Sequence, residues 1–400
     1  MAGLNLSKFA VDRLLASLSA GSLVIETPGG ERIEHHGERP GPDAILILHR
    51  WRALHRLALH GDIGFAESYI DGDWSSPDLT ALLELGAVNA QSANGLASTS
   101  VVKRIVNRLL HWRRLNTRRG SRRNIVAHYD LGNDFYARWL DPTMNYSSAI
   151  FAAPNESLED AQNRKLDLIL DRLDISGGER VLEIGCGWGA LAERLVRRGC
   201  EVTGLTLSPA QLDYASHRVA RATNSTRTDL RLQDYRDVEG SFDRIVSIEM
   251  IEAVGESYWP AYFGTIKRRL APGGRALIQA ITIEAPRFDG YRSNVDFIQR
   301  YIFPGGMLLS PEAMSEQGAN AGLSSGGIWT FGLSYARTLA EWRRRFHAEW
   351  PGIETMGFPP SFKRLWDYYL CYCEAGFRSG ATDVGHYVFV PAEAAEVAAP

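Results

Sequence analysis

The chain has 400 residues, of which 45% are hydrophobic and 23% charged, and its formal net charge is −3. This length suits two domains, and the apolar fraction is sufficient for large hydrophobic cores. A weakly acidic chain excludes nucleic-acid binding that depends on bulk positive charge.

Membrane spans and disulfides are also disfavoured. No apolar run reaches the roughly 18–20 residues that cross a bilayer, and the first residues lack the pattern of a secretory signal peptide. The four cysteines contain no C-x-x-C pair, so neither a disulfide framework nor a zinc site is indicated. We therefore expect a cytoplasmic protein that contacts the inner face of the cytoplasmic membrane peripherally.

Residues 1–92 predict a small α+β domain. Apolar residues at helical spacing between Leu6 and Leu18 predict a short amphipathic helix. Residues 22–26 and 31–35 flank a Pro-Gly-Gly turn, which is typical of a β-hairpin, and residues 44–48 form a buried-strand run. Helical patterns follow at about 50–60, from Asp62 onward and at 77–85. Residues 91–100 are rich in Ser, Ala, Asn and Gly and predict a linker.

A basic amphipathic segment follows, and we assign residues 93–127 to the linker and this helix. Between Lys103 and Arg123 there are nine Lys or Arg residues and no acid, with apolar residues at helical spacing. Such a helix can lie among anionic lipid headgroups, where each basic residue contributes about 1 kcal/mol. Alternatively, it is a solvated linker helix. Nucleic acid is disfavoured, because the run lacks interleaved aromatic residues.

From residue 128 to 390 strand and helix patterns alternate. Buried strands are predicted at 181–184, 201–206, 230–232, 242–247 and 275–280, with helices at 158–173, 209–222 and 259–270. This alternation predicts a parallel, doubly wound α/β sheet. Helices at 339–350 and 362–377 and a closing strand at 386–390 complete the domain. The Ala/Glu-rich tail at 391–400 is expected to be flexible.

The first strand of this domain breaks into a glycine turn. Val181 to Ile184 is followed by Gly185-Cys186-Gly187-Trp188-Gly189 and then by helix-forming residues. Glycines let the backbone pass close to a ligand where a Cβ would intrude, and α/β folds hold nucleotide-like cofactors at this position. The acidic Glu183 and the missing third glycine of G-x-G-x-x-G favour S-adenosylmethionine over a dinucleotide.

Several longer motifs accompany the glycine turn. They are His128 to Tyr136 (HYDLGNDFY), Leu140 to Met144 (LDPTM), Tyr146-Ser147, Gly204 to Ser208 (GLTLS) with Gln211, and Tyr301 to Gly306 (YIFPGG). In this order they resemble the cyclopropane-fatty-acyl-phospholipid synthase family over about residues 128–390. The resemblance implies a seven-stranded Rossmann-like methyltransferase domain with a smaller N-terminal lipid-binding domain, and a homodimer.

The resemblance also implies S-adenosylmethionine as methyl donor and a cis-unsaturated acyl chain of a membrane phospholipid as acceptor. By position, the cofactor would be held by Glu183, Gly185, Gly187 and Gly189, by Tyr146 and Ser147 at its amino-acid end, by Thr206, Leu207 and Gln211 near its ribose, and by Asp234 and Tyr235 near its adenine. Structural alternatives stay open for some of these residues. Thr206 and Leu207 can simply end a buried strand, Asp234 can cap a helix, and Tyr235 can be core.

Methyl transfer to an alkene leaves a carbocation, which aromatic faces stabilise. The aromatic candidates are Tyr291, Tyr301, Phe303, Trp329, Phe331 and Tyr335. Forming a cyclopropane then requires a base that removes a proton from the new methyl group. In the family this base is bicarbonate, held by Cys, Glu, His and Tyr side chains and an Ile backbone. The resemblance assigns Glu252, Tyr335 and Ile281 to three of these places.

The chain departs from the family at the other two places, which are occupied by Ser148 instead of Cys and Gln279 instead of His. Neither brings the positive charge of imidazolium, so bicarbonate binding is disfavoured. Glu252, alone or with Glu249, would then accept the proton, because two close carboxylates raise one pKa. Proton loss from a neighbouring chain carbon would give a methyl-branched alkene, and both products stay open.

Two other classes of function are less favoured. A small-molecule N- or O-methyltransferase needs neither the N-terminal domain nor the basic helix. A non-catalytic lipid-binding protein does not need the cofactor motif, Glu252 or Tyr335.

Overall fold

A computed structural model describes residues 11–12, 14–90, 131–222 and 227–392. Most of the predicted linker and the whole basic segment lie outside the described residues, as do His128 to Asp130 of the first family motif and nearly all of the C-terminal tail. Of the predicted N-terminal helix, the described residues 11–12 and 14–16 are helical.

The elements are numbered in chain order. The strands are β1 Ala20–Glu26, β2 Arg32–His36, β3 Arg39–Leu48, β4 Trp74–Ser75, β5 Arg180–Ile184, β6 Glu201–Thr206, β7 Thr228–Leu232, β8 Phe242–Ile248, β9 Leu270–Ile283, β10 Leu323–Thr330 and β11 Thr382–Pro391. The helices are α1 Arg52–Ile70, α2 Leu79–Asn89, α3 Asn133–Trp139, α4 Leu158–Arg172, α5 Ala190–Arg197, α6 Pro209–Ala222, α7 Trp259–Arg269, α8 Ala285–Ser293, α9 Pro311–Asn320, α10 Gly332–Thr355 and α11 Pro360–Arg378.

The chain divides into two compact units. The smaller comprises the described part of residues 1–110 with Ser293–Ile302 and Leu339–Ala381, and the larger comprises the described part of residues 111–292 with Phe303–Thr338 and the residues from Thr382 onward. The alternating sequence patterns predict one continuous domain over residues 128–390. In the structure, the segments 293–302 and 339–381 group with the smaller unit instead.

The smaller unit contains a four-stranded sheet in the order β2-β1-β3-β4. β1 and β2 are antiparallel, with Glu26 opposite Arg32, which confirms the predicted hairpin. The predicted break between two helices near Asp62 lies inside α1, where Gly61 has a non-helical φ of 63°. Helix α11 joins the helices of this unit, since the Tyr69 hydroxyl of α1 donates to Asp367 at 2.8 Å and Thr80 of α2 donates to Glu374 at 3.1 Å.

The larger unit contains a seven-stranded sheet in the order β10-β11-β9-β8-β5-β6-β7. The five strands β5 to β9 are parallel to one another, as predicted. β11 is antiparallel to both β9 and β10, so the expectation of an entirely parallel sheet is wrong at this side. The continuous apolar run of β11 indicates burial on both faces but carries no information on strand direction. β10 was not predicted from the sequence.

Both faces of this sheet are covered, which confirms the doubly wound α/β class. The consecutive residues Val181 and Leu182 of β5 point to opposite faces and belong to two separate hydrophobic cores. Leu191 and Leu195 of α5 pack with Val181 on one face, while Trp259 and other residues of α7 pack on the opposite face. Among the described residues, no helix has both the length and the hydropathy needed to cross a membrane.

Candidate active site

The predicted site residues meet at one edge of the larger unit's sheet. β5, β6, β7 and β8 are parallel and their carboxyl ends lie at the same edge. The glycine turn follows β5, Thr206 ends β6, Asp234 follows β7 and Glu249 follows β8. This is the edge at which open α/β sheets bind their ligands.

The three glycines of the turn have left-handed backbone conformations, with φ of 88° at Gly185, 50° at Gly187 and 81° at Gly189. A Cβ on Gly189 would lie 2.9 Å from the Cβ of Ala215, whereas a Cβ on Gly187 would meet no described atom within 4 Å. Gly189 therefore allows the turn to pack closely against α6. The open space at Gly187 is suitable for close approach of a ligand.

Glu183, at the end of β5, is a buried acid with an unsatisfied oxygen. Its Oε2 is buried and has no hydrogen-bond partner in the described part of the chain. Burial raises the pKa of Glu183 to about 8, and the positive charge of Lys165 in α4 opposes this rise. Because buried acceptors are nearly always paired, this oxygen beside the glycine turn fits a ligand that supplies a hydroxyl or amino donor. S-adenosylmethionine is such a ligand.

Ser147 and Tyr146, predicted at the amino-acid end of the cofactor, lie against α3 and α4. Ser147 is buried, its Oγ accepts a hydrogen bond from Lys165 Nζ at 2.7 Å, and its carbonyl accepts one from Gln162 Nε2 at 2.9 Å. The Tyr146 ring packs 5.2 Å from the Tyr136 ring. Burial lowers the pKa of Lys165 to about 8.

Thr206, Leu207 and Gln211 lie together where β6 leads into α6. The Thr206 hydroxyl donates to Gln211 Oε1 at 2.9 Å and accepts the Ser208 backbone N–H at 3.2 Å. Thr206 and Gln211 are buried, while Leu207 is half-buried. These hydrogen bonds stabilise the start of α6 within the chain itself. Contact of Thr206, Leu207 and Gln211 with the ribose of the cofactor therefore stays a prediction.

Asp234 and Tyr235 begin a short 3-10 helix after β7. Asp234 caps this helix by accepting the Arg236 backbone N–H at 3.0 Å, and it also pairs with the Arg236 guanidinium at 2.6 Å. The structural alternative of a helix cap is therefore present in the structure. Tyr235 packs against Tyr262 at 5.5 Å between ring centroids, and burial raises its pKa to about 12. A contact of either residue with adenine stays a prediction.

The residues expected to hold bicarbonate surround the carboxylate of Glu249. Its Oε1 accepts the Ser148 backbone N–H at 2.9 Å and Gln279 Nε2 at 2.7 Å, and its Oε2 accepts the Tyr335 hydroxyl at 2.6 Å. Glu249 has a φ of 47°, which is uncommon for a residue other than glycine and occurs preferentially at functional sites. The Gln279 and Tyr335 side chains, which the resemblance assigns to an external anion, are thus bonded to a carboxylate of the chain. The Ser148 hydroxyl instead donates to the Ala149 carbonyl at 2.8 Å, and only the Ser148 backbone N–H contacts Glu249.

A second carboxylate, Glu252, lies beside the first. Its Oε1 accepts the Ile281 backbone N–H at 2.7 Å, while its Oε2 is buried without a partner among the described residues. Burial and the negative charge of Glu249 raise the pKa of Glu252 to about 8. Burial also raises the pKa of Glu249, but its hydrogen bonds with Tyr335 and Ser148 oppose that rise. Of the two carboxyl groups, Glu249 is therefore the better stabilised as an anion, whereas ionisation of Glu252 is disfavoured.

The aromatic candidates are more dispersed than expected. Tyr335 is buried beside Glu249, whereas Trp329 is 41% exposed and stacks under Arg172 at 4.7 Å. Phe331 packs against the ring of His386. The Tyr291 hydroxyl accepts a hydrogen bond from the Leu308 backbone N–H. Tyr301 belongs to the smaller unit, and Phe303 is the first residue of a segment of the larger unit.

Two residues of this region were not found from the sequence. Lys165 lies on the buried face of α4 that also carries Ala161 and Ile169, and a lysine in the buried register of an amphipathic helix is the signal that could have found it. His386 is completely buried, and its Nε2 lies 2.8 Å from Gln279 Oε1. Its position beside Gln279 depends on strand order, for which the sequence contains no local signal.

Comparisons with known proteins agree with this geometry. Residues 116–387 match the family model of the mycolic acid cyclopropane synthetases. The chain is 42% identical over 365 residues to tuberculostearic acid methyltransferase of Mycobacterium tuberculosis, and the match covers 86% of this chain and 83% of the relative. It is 36% identical over 342 residues to cyclopropane-fatty-acyl-phospholipid synthase of Escherichia coli, covering 84% of each.

Solved structures show the same relationship. A mycolic acid cyclopropane synthase complexed with SAH and CTAB superimposes with a TM-score of 0.63 and 32% identity, covering 67% of this chain and 97% of that one. Coclaurine N-methyltransferase, at 20% identity, shares the fold alone. The chain therefore belongs to the mycolic acid cyclopropane synthetase family and is an S-adenosylmethionine-dependent methyltransferase.

Proposed function

We propose that the protein transfers the methyl carbon of S-adenosylmethionine to the cis double bond of acyl chains in membrane phospholipids and releases a methyl-branched unsaturated chain. The observation that carries this proposal is the position of the Glu249 carboxylate. It accepts hydrogen bonds from the Ser148 backbone N–H, the Gln279 amide and the Tyr335 hydroxyl, so these groups are already engaged by a carboxylate of the chain where bicarbonate would bind. Bicarbonate does not fit this site while Glu249 is in place.

Glu249 is the proton acceptor in this proposal. When bound, S-adenosylmethionine supplies the electrophilic methyl group, and transfer to one alkene carbon leaves a cation on the other. Glu249 Oε2 accepts one hydrogen bond, from Tyr335, and a carboxylate oxygen has a second lone pair to receive a proton. A base fixed by three hydrogen bonds takes the proton that lies nearest to it, and we propose that this proton comes from a chain carbon next to the cation.

The cofactor residues follow from the glycine turn and its neighbours. We propose that Gly185, Gly187 and Gly189 approach the cofactor, that Glu183 Oε2 accepts one of its donors, and that Ser147, held by Lys165, contacts its amino-acid end. The remaining predicted contacts are those of Tyr146, Thr206, Leu207, Gln211, Asp234 and Tyr235. All of them belong to the larger unit.

The substrate places the reaction at a membrane surface. We propose that the smaller unit and the basic segment of residues 103–123 bind anionic phospholipid on the inner face of the cytoplasmic membrane, and that the protein is a homodimer. A cyclopropane product is the second candidate. It is supported by the name of the Escherichia coli relative, whereas the relative at 42% identity is named a methyltransferase.

The test uses the full chain with isotopically labelled S-adenosylmethionine and vesicles of an unsaturated phospholipid, in bicarbonate-depleted and bicarbonate-supplemented buffer. After derivatisation of the acyl chains, mass spectrometry distinguishes a ring from a branched alkene. We expect the branched alkene at a rate independent of bicarbonate. A ring, or a requirement for bicarbonate, would contradict the proposed product. Absence of label from the acyl chain in both buffers would contradict the function itself.

A further inference from the structure

A row of side chains crosses three strands of the larger unit and ends at Glu249. Trp329 of β10 is paired with His386 of β11, and His386 is paired with Gln279 of β9. Side chains at paired positions of antiparallel strands project from the same face. The row therefore runs from the outer strand of the sheet to the residue that bonds Glu249.

The hydrogen bonds along this row have only one possible direction. Arg172, the last residue of α4, bonds His386 Nδ1, and a guanidinium can only donate. Nδ1 therefore accepts, so in the neutral imidazole Nε2 carries the proton. Nε2 then donates to Gln279 Oε1 at 2.8 Å, which leaves the Gln279 amide NH2 group to donate to Glu249 Oε1 at 2.7 Å.

The buried part of the row is protected from solvent. His386 and Gln279 have no exposed surface, whereas Arg172 is half-buried and its guanidinium lies over the Trp329 ring, 4.7 Å from the ring centroid. A cation at the carboxyl end of a helix is also stabilised by the helix dipole. Arg172 is thus held at its place by groups other than His386.

His386 stays neutral and does not act as a pH switch. The groups that face it are Arg172 and Lys165 of α4, the Phe331 ring at 5.0 Å and the Gln279 amide. Burial and the two positive charges keep the pKa of His386 well below its usual range. Glu249 in turn faces Ser148, Gln279 and Tyr335 as donors, Lys165 as a cation and Glu252 as a second carboxyl group.

We propose that Arg172 and His386 are positioning residues for the reaction: they fix the Gln279 amide so that it donates to Glu249 and keeps this carboxylate ionised. The inference rests on the proposed role of Glu249 as proton acceptor. Without His386, Gln279 Oε1 loses its donor and the amide is free to rotate. A rotated amide presents oxygen to the carboxylate, which repels it and favours the protonated form.

The first test is kinetic and compares His386→Phe with His386→Gln. The Phe variant keeps a ring beside Phe331 but removes both hydrogen bonds, whereas the Gln variant keeps one acceptor and one donor. For His386→Phe we expect kcat to fall about 10- to 100-fold, as for loss of one hydrogen bond to a charged acceptor. The acidic limb of its kcat profile should move to higher pH while KM for S-adenosylmethionine stays unchanged. In His386→Gln, both kcat and the position of the acidic limb should lie close to those of the original chain.

An unchanged acidic limb in a folded His386→Phe variant would overturn the inference. If Glu249→Gln retains the activity of the original chain, the proposed role of Glu249 has failed instead, so the two failures are distinguishable.

The second test keeps His386 in place, so it does not depend on whether the His386 variants fold. In the full chain labelled with 15N-histidine, the His386 resonances, assigned with Arg172→Met, should show protonated Nε2 and unprotonated Nδ1 throughout pH 6 to 8. An Nδ1–H tautomer or an imidazolium in this range would contradict the direction of the hydrogen bonds and overturn the inference.

Discussion

The Tyr335 hydroxyl donates a 2.6 Å hydrogen bond to Glu249 Oε2, which joins the first turn of α10 to the residue that follows β8. The two residues are 86 positions apart in the chain. This bond, together with those of Ser148 and Gln279, turns a glutamate at a strand end into a buried and fully oriented carboxylate.

Removing this hydroxyl tests its effect on the basicity of Glu249. In Tyr335→Phe, the carboxylate loses one of three donors, so its pKa should rise further and less of it should be ionised at neutral pH. We expect kcat to fall about 10- to 100-fold and its acidic limb to move to higher pH. Isothermal titration should give an unchanged Kd for S-adenosylmethionine. A fall in kcat that is equal at every pH would contradict this explanation.

Replacing Glu249 by glycine should convert the site into one that uses an external base. The positive φ of 47° suits glycine, and the variant leaves the Ser148, Gln279 and Tyr335 donors facing an empty space of carboxylate size. We expect Glu249→Gly to be nearly inactive in bicarbonate-free buffer and to regain activity as bicarbonate is added. Glu249→Gln, which fills the space, is the matched control and should not be rescued. Equal behaviour of the two variants would argue against an anion site at this position.

Glu252 should destabilise the protein as the pH rises. Burial raises its pKa in the folded protein to about 8, against about 4.3 for an unperturbed glutamate. Between these values the folded state binds more protons than the unfolded state, so stability falls with increasing pH. Glu252→Gln cannot ionise and can still accept the Ile281 N–H. It should increase the free energy of unfolding at pH 8 by on the order of 4 kcal/mol, with little effect near pH 4. Urea titrations at both pH values measure this, and an equal gain at both would contradict the shift.

The glycines of the turn should separate stability from cofactor binding. An alanine at position 189 places its Cβ 2.9 Å from Ala215 and also has a strained φ of 81°, so Gly189→Ala should lower the free energy of unfolding by about 2–4 kcal/mol. Gly187→Ala meets no described atom within 4 Å and should cost about 1 kcal/mol, while the new methyl group enters the proposed cofactor space. We expect it to weaken S-adenosylmethionine binding at least tenfold. Thermal melts measure the stability of both variants, and calorimetry measures their binding of S-adenosylmethionine. Unchanged binding in Gly187→Ala would show that the turn does not face the cofactor.

The basic segment should bind anionic membranes. Replacing Arg113, Arg114, Arg118 and Arg119 with glutamine removes four of its positive charges, and vesicle sedimentation should show weaker binding to anionic lipid, with a difference that decreases as salt screens the charges. Vesicles of neutral lipid are the control. Equal binding of both proteins to anionic vesicles at low salt would favour the solvated-linker interpretation.

Much of the architecture followed from local patterns. Glycine spacing after a buried strand predicted the turn at 185–189, and alternating apolar segments predicted the strands and helices around it, because burial and backbone conformation depend on neighbouring residues. The direction of β11 could not be predicted, since a short apolar run carries no information on its partners. β10 has no apolar strand pattern, because its sequence LSSGGIWT is rich in Ser and Gly and largely exposed. The grouping of residues 339–381 with the smaller unit depends in the same way on contacts distant in the chain.

The sequence by itself determined the family motifs and the two positions, Ser148 and Gln279, at which the chain departs from the expected anion site. It also contains Glu249, which the sequence pattern identifies only as a neighbour of Glu252. Only the tertiary structure decided that the Glu249 carboxylate accepts the hydrogen bonds of that site, and that His386 and Arg172 lie behind Gln279. The physical reason is that hydrogen-bond partners 30 to 214 residues apart are selected by strand order and register, which are properties of the whole sheet.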